Sequence, residues 1–297
     1  MKRIVALVLT LLLVCAGCAK KPTVKIGVLE PLSGEYAAAG QSEYLGIQEA
    51  LEANPMLGDA RVELVVADTL STEDGAREAA KSLADQGVQI VIGSWGSSLS
   101  QAAAEVLVKK QISMVTTTAG KVDNVSCFSL ELSIAQQAQA LAALVAEQGW
   151  TRVAMVSDRN HAYDMAMRQA FIEAGGKEII CAEAHGTTEN LVDCVAAMEQ
   201  EQADVLFIPS MADAAAGMTE LPILGGDIST SDAVYHPIYA EGGAKSVGYD
   251  GYLVALAIMG GEPKEIEGRT GRLLFDGTTV TRQTWQIQTP DGVKEIS

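Results

Sequence analysis

Basic charge is scarce in this chain. Its 297 residues carry 21 Lys and Arg against 38 Asp and Glu, a formal net charge of −17. A nucleic-acid binder needs a clustered basic face to displace counterions from phosphates, so that class is excluded. Aromatics make up only 5% and histidines number three. No strand leads into a G-x-G-x-x-G turn, which argues against a dinucleotide site. Gly243-Ala244-Lys245-Ser246 echoes the end of a phosphate-binding loop, but the upstream glycine and strand are missing. There is no G-x-S-x-G elbow, and scattered histidines offer no base to a serine. The expectation is no enzyme and no cofactor. Polarity is lacking too. With 48% apolar residues and a mean hydropathy of +0.17, the chain is the reverse of a disordered one. Its length suits two domains of about 150 residues or one large one.

No apolar run reaches the roughly 20 residues of a membrane span. The longest follows Lys2 and Arg3, from Ile4 to Val14, and ends in Cys15-Ala16-Gly17-Cys18. A positive start, a short apolar run and small residues before a cut site predict a signal peptide over residues 1–17. Ala16 and Gly17 directly before Cys18 resemble a bacterial lipobox, in which the cysteine is acylated and becomes the new N-terminus. Cys15 stands where that motif usually has Leu, and an ordinary secreted signal is the alternative. Residues 18–23 then form a short lipidated tether. The expected location is periplasmic or cell-surface, anchored through Cys18, with that lipid the sole membrane contact. Losing Lys2 and Arg3 leaves the mature chain two charges more acidic.

Cys127, Cys181 and Cys194 remain in an oxidising compartment. Cys181 and Cys194 stand close enough in sequence for a disulfide between a strand and the following helix; buried thiols are the alternative. Cys181 and His185 lack a second pair of metal ligands, and His161 and His236 are far off, so no metal site is expected.

What the chain has is alternation. Apolar runs Val24–Leu29, Val62–Ala67, Val88–Ile92 and Ile112–Thr116 predict strands. Between them lie helical patterns, such as Ala76, Ala79, Ala80 and Leu83 with Ser71 as the expected cap. After a break near Cys127–Ser133 a second series begins. It has a helix through Ile134, Ala138, Leu141 and Val145, then strands at Val153–Ser157, Glu178–Ala182, Val205–Ile208 and Pro222–Leu224. Short buried strands separated by amphipathic helices predict an α/β fold of two doubly wound lobes with parallel sheets. No Pro- or Ser-rich linker separates the series, so close-lying crossovers should join the lobes. The tail predicts a helix Val247–Met259, strands Arg272–Phe275 and Arg282–Gln288, and a hairpin turn at Asp291-Gly292. The expected division is 24–129 with 245–278 for lobe 1, and 130–244 with 279–297 for lobe 2.

In open parallel sheets ligands sit beyond the carboxyl ends of the strands. The loops there carry hydroxyls, glycines, aromatics and acids, with little basic charge. They suit a small polar ligand held by hydroxyls and helix N-termini, and not a polyphosphate.

Lys25-Ile26-Gly27-Val28-Leu29-Glu30-Pro31-Leu32-Ser33-Gly34, followed by Gly40 and Gly46, resembles the opening of type I periplasmic binding proteins of the leucine/isoleucine/valine-binding kind. Asp68, Val91-Ile92-Gly93, Ser97-Ser98, Gly248-Tyr249-Asp250 and Thr270-Gly271 continue the likeness. The resemblance implies two lobes linked by three crossovers and closing over one ligand. It also implies an ABC importer permease as partner and no catalysis. By position, Ser97 matches a loop serine for the ligand carboxylate, with Ser98 beside it. Thr118-Ala119-Gly120 matches the next loop, following Thr116. Tyr163 and Asp227 match a second-lobe tyrosine and the acid for the ammonium, Tyr249 a first-lobe aromatic, and Trp95 a side-chain contact. Blander roles stand beside these: Ser97 and Ser98 as helix caps, Thr116 and Thr118 as strand residues, Tyr163 as core, Asp227 as a turn residue.

Three features depart from the pattern. Gly120 and Met211 stand where many relatives have a threonine and a tyrosine, and the stretch from Asp227 to Tyr249 is short. The second lobe is expected to be shortened, with the helix between Pro209 and Pro222 clipped. The function expected is capture of an amino acid or similar small polar solute by a lipoprotein, a monomer, that delivers it to an ABC importer. A sensor that docks on a receptor without transport, and a non-binding envelope scaffold, are the alternatives.

Overall fold

Strands and helices alternate because each apolar run is too short to be a buried helix and is flanked by turn residues. The computed structural model describes residues 21–119, 122, 127–175, 179–227, 229, 231–238, 243–261, 264–276, 279–282 and 285–296. The expected signal peptide, Cys15, Cys18 and Gly120 lie outside the described residues.

The first lobe begins with β1 (Thr23–Glu30), whose last five residues are buried, and α1 (Ala37–Ala53). Then come β2 (Met56–Leu57), β3 (Ala60–Asp68), α2 (Glu73–Asp85), β4 (Ile90–Ile92), α3 (Ser97–Leu107), β5 (Ser113–Thr116) and β6 (Cys127–Ser129). The second lobe holds α4 (Ile134–Gln148), β7 (Val153–Ser157), α5 (Ala162–Gly175), β8 (Ile180–His185), α6 (Leu191–Gln200), β9 (Val205–Phe207), α7 (Ala212–Ala215), β10 (Ile223–Leu224) and β11 (His236–Ile238). The tail forms α8 (Gly243–Gly260), β12 (Glu265–Gly268), β13 (Gly271–Asp276), β14 (Thr279–Arg282), β15 (Trp285–Thr289) and β16 (Gly292–Ile296).

The first sheet runs β12-β13-β14-β6-β5-β4-β1-β3-β2. Its centre, from β14 to β3, is parallel, and antiparallel pairs close both edges. The second sheet, β10-β9-β7-β8, is wholly parallel. A third, β11-β15-β16, is antiparallel and sends Ile287 and Ile296 into the core of the second lobe. The chain passes between the lobes three times, before α4, before α8 and before β15.

Apolar clusters lie on both faces of each large sheet. In lobe 1, Ile26, Val28 and Ile92 face Ile47 and Tyr252, while Leu29 and Val91 face Leu83 and Leu107. In lobe 2, Met155 and Phe207 face Leu141 and Phe171, while Val156 and Leu206 face Leu191 and Val195. Helices α1 and α8 touch along their backbones. A Cβ on Gly46 would lie 1.8 Å from the Lys245 carbonyl, and one on Gly248 would lie 2.1 Å from that of Glu43. Among the described residues no helix is long and apolar enough to cross a membrane.

Several expectations shift. Cys127–Ser129 is no break but a strand of the first sheet, bonded to β5. Strand β14 pairs with β13 and β6, so the last crossing falls after Arg282 and not at 278/279. The cap of α2 is Thr72, which accepts the Gly75 N–H, because Ser71 takes a left-handed φ of 56°. Of the expected strand Glu178–Ala182, Glu178 lies outside the described residues, and the strand runs Ile180–His185, past the expected end at Ala182. The helix after Pro209 is a single turn of four residues, as the sequence suggests. Cys181 and Cys194 form no bridge and are free thiols, like Cys127. The Cys194 sulfur points at Gly186, one residue past the end of β8, while Cys181 is near its start. About five residues of extended strand between those points span far more than a disulfide reaches.

Candidate functional site

The carboxyl ends of the two parallel sheets carry the polar loops. In lobe 1 the chain leaves β4 at Gly93 and enters α3 at Ser97. The N-cap of α3 is Gly96, with φ of 78° and no side-chain cap. Ser97 and Ser98 therefore do not cap the helix; both are exposed on its first turn. That end carries the partial positive charge of the helix dipole, which favours an anion. Ser100, fully buried, stitches the loop together: its hydroxyl lies 2.9 Å from the Ser94 carbonyl and 2.8 Å from that of Gly96, and accepts the Ser94 N–H.

The next loop joins this one through Thr118, whose hydroxyl oxygen accepts the Gly96 N–H at 2.9 Å. Thr116 is buried and its hydroxyl is 3.4 Å from the Phe128 carbonyl, so it serves the sheet. Ala119 is buried, its carbonyl accepting the Ser129 hydroxyl. Trp95 is half-buried between Ser94 and Gly96. Of the first-lobe candidates, Trp95, Ser97, Ser98 and Thr118 share one loop cluster, whereas Thr116 and Ala119 form its base.

Nearby, Asp68 ties the loop after β1 to the loop after β3. Its carboxylate accepts the N–H groups of Leu32, Ser33 and Leu70 and the Ser33 hydroxyl. Burial pushes this carboxyl upward, but those donors together outweigh it and hold it below the usual carboxylate range.

Tyr249 is engaged elsewhere. Its ring packs on the first core, with the Arg269 guanidinium 3.8 Å over its centroid and Arg269 paired to Glu49. The neighbouring Asp250, fully buried, accepts the Arg269 and Thr270 N–H groups and fixes the turn between β12 and β13.

In lobe 2, Tyr163 and Asp227 do come together. The Tyr163 hydroxyl lies 2.8 Å from Asp227 Oδ1 and 2.9 Å from Gln137 Oε1. Gln137 Nε2 donates to Asp227 Oδ2 at 2.8 Å and also to the Leu132 carbonyl. Burial, and next the Asp227 charge, push the Tyr163 phenol far above its ordinary value, so it remains a donor. Gly226 makes the approach possible, since a Cβ there would stand 2.0 Å from the Tyr163 oxygen. In the same loop His161 Nδ1 is 3.0 Å from the buried Asp164. Met211 is buried in the second lobe's core.

Sequence reasoning missed Gln137, Ser100 and Thr117. Gln137 carried no signal of its own in the sequence, where it is one of several glutamines in α4 beside the Ser133/Gln136 capping box. Among the described residues no group of three His, Cys, Asp or Glu could hold a metal ion.

The arrangement offers a helix N-terminus and hydroxyls in one lobe and a hydrogen-bonded carboxylate in the other. It is chemistry for binding the two ends of a small solute. Comparison with known proteins bears on that picture. The chain is 27% identical over 189 residues to "Leu/Ile/Val-binding protein homolog 6" of Brucella abortus, a match over 60% of this chain and 48% of that protein. The match thus spans about half the length of that relative. A substrate-binding protein of an ABC transporter from Desulfitobacterium hafniense, solved in complex with leucine, superposes with a TM-score of 0.72 at 18% identity, covering 92% of this chain and 100% of that one. A solute-binding protein from R. palustris, solved with 4-hydroxybenzoate, gives 0.68 at 16% identity, with 93% and 96% covered. These two likenesses show the fold. The family model for periplasmic binding proteins matches residues 23–268. With most of its length so matched, the chain belongs to the periplasmic binding protein family.

Proposed function

We propose that this protein captures a small solute bearing a carboxylate, foremost an amino acid, between its two lobes and delivers it to an ABC importer. Its place is outside the cytoplasmic membrane, held there by a lipid on Cys18. The observation that carries the reading is the placement of Asp227. It stands in the second lobe, buttressed by Tyr163 and Gln137, while hydroxyls and the N-terminus of α3 stand in the first. A carboxylate favours N–H groups and hydroxyls, and an ammonium favours a carboxylate. A ligand gripped at opposite ends by different lobes binds the closed state better and so draws the lobes together. Ser97, Ser98 and Thr118 are assigned to the ligand carboxylate, Asp227 to the ammonium and Trp95 to the side chain.

One observation favours a second reading. Each Asp227 oxygen already accepts a neutral donor, from Tyr163 and from Gln137. A carboxylate so satisfied is less demanding of a cation, which suits an acid without an ammonium, such as 4-hydroxybenzoate. Thermal shift and calorimetry against L-leucine, L-isoleucine and 4-hydroxybenzoate separate the readings. A binder at 100 times its Kd adds about 2.7 kcal/mol of stability. Preference for the amino acids supports the first reading and preference for the aromatic acid the second. A shift with none of them, nor with a wider panel of amides and small sugars, would favour a non-binding scaffold.

A further inference from the structure

Two buried carboxyls lie beneath the first-lobe loops and have no role in the binding just described. Glu30 ends β1 and Glu43 sits in the second turn of α1, both fully buried. The Thr117 hydroxyl donates to Glu43 Oε2 at 2.6 Å. Both Glu30 oxygens and Glu43 Oε1 are buried without a hydrogen bond of ordinary geometry. A Cβ on Gly93 would stand 2.7 Å from Glu30 Oε1, which puts that carboxyl directly under the loop carrying Trp95 and Ser97. The pair is thus wedged under both ligand loops, Glu30 beneath 93–97 and Glu43 beneath Thr117.

The charged groups on the surrounding elements are engaged with other partners. Asp68 on β3 is held by Leu32, Ser33 and Leu70, and Asp250 on α8 by Arg269 and Thr270. Lys245, Glu49, Arg269 and Tyr249 form their own cluster between α1 and the tail. Glu35, on the loop after β1, is exposed. From the described residues of the loops after β4 and β5, the Trp95 N–H and the Thr117 hydroxyl reach the pair. Among the described residues no cation bonds either glutamate. Two facing carboxylates without a donor between them repel each other in a low dielectric, and one proton turns the clash into a hydrogen bond. Burial, and next the Glu43 charge, push Glu30 well above the carboxylate range, against a weaker pull from the Trp95 N–H. Burial likewise pushes Glu43 up to about 7, against hydrogen bonds from Glu30 and Thr117.

We propose that Glu30 and Glu43 share one buried proton and act as positioning residues, holding the 93–97 loop and Thr117 in the shape that receives the ligand's carboxylate. The proposal rests on the carboxylate-binding reading and deepens it, because ligand binding is then tied to retention of that proton. An incoming anion favours the more protonated pair, so affinity falls as pH rises through about 7, where Glu43 ionises and the pair becomes more negative.

Two measurements on the full chain test this. Infrared difference spectra of the ligand-free protein between about pH 6 and pH 8.5 read the pair itself. A protonated-carboxyl band should be lost at the higher pH in the wild type, and should not respond in Glu30→Gln or Glu43→Gln. Either amide is a permanent donor and keeps the bridge. Calorimetry with L-leucine reads the coupling. The wild type should bind about tenfold tighter at the lower pH, the equivalent of one pKa unit of linkage, and both variants should lose that dependence while keeping affinity. Absence of the band overturns the shared proton whatever the ligand does. If L-leucine fails to bind while the band is present, the amino-acid reading is the one in error. 4-Hydroxybenzoate must then show the same pH preference; binding that is indifferent to pH, or no binding of either probe, overturns the coupling.

Discussion

Asp227 is held at 2.8 Å by both Tyr163 and Gln137, so its replacement disturbs three residues at once. Asp227→Asn keeps the shape and removes the charge. For an amino-acid ligand it should cost about 2–5 kcal/mol of binding, since the ammonium is left buried without its partner. Calorimetry checks this, and unchanged affinity would remove Asp227 from the ammonium subsite. Gly226→Ala acts differently, because its Cβ would stand 2.0 Å from the Tyr163 oxygen. Tyr163 must withdraw, and ligand affinity should fall by more than tenfold while far-ultraviolet circular dichroism stays native. Tyr163 and Asp227 were legible from the sequence as chain positions. Gln137 was not, because its value arises from a contact 90 residues away in the chain. Glu30 and Glu43 were hidden for the same reason. Each is one acid among 38 until the fold buries them together.

At the scale of elements, the close passage of α1 over α8 is the least tolerant contact in lobe 1. Gly248→Ala would press a methyl to 2.1 Å from the Glu43 carbonyl, and overpacking of that kind costs about 1–3 kcal/mol. Urea unfolding should show a lowered midpoint with an unchanged slope. Ser133 caps α4 through a reciprocal box with Gln136, and Ser133→Ala should cost about 0.5–2 kcal/mol in the same assay. The parallel strands were legible because their apolar runs are continuous. Strand β6 was not, since Cys127–Ser129 is three residues long and takes its identity from β5. The cap of α2 was misread by one residue because Ser71 and Thr72 are both good caps. Ser71 is committed instead to Tyr36 and Ser33, across 35 and 38 residues of chain. The Cys181–Cys194 bridge was a matter of sequence distance alone, and the extended β8 keeps those thiols apart.

For the whole molecule, buried acids set the pH response. Glu43 ordinarily titrates near 4.5 and is raised to about 7 in the folded chain. A carboxyl raised in this way contributes stability that is full below 4.5 and is lost as pH rises through about 7. The melting temperature should therefore fall between about pH 5 and pH 8, and Glu43→Gln should flatten the fall. The net charge of −17 describes the solvated surface more than the candidate site, where the proposed roles fall to one acid in lobe 2 and two in lobe 1. Two lobes, three crossings and polar loops at the strand ends are the features on which the proposed capture of a solute rests. The most direct test is calorimetric titration of the full chain with L-leucine, L-isoleucine and 4-hydroxybenzoate, repeated with Asp227→Asn. Saturable one-to-one binding of at least one of these acids is predicted, weakened by the substitution when that ligand carries an ammonium. No heat of binding from any of the three, with the protein folded, would contradict the capture of a carboxylate solute between the lobes.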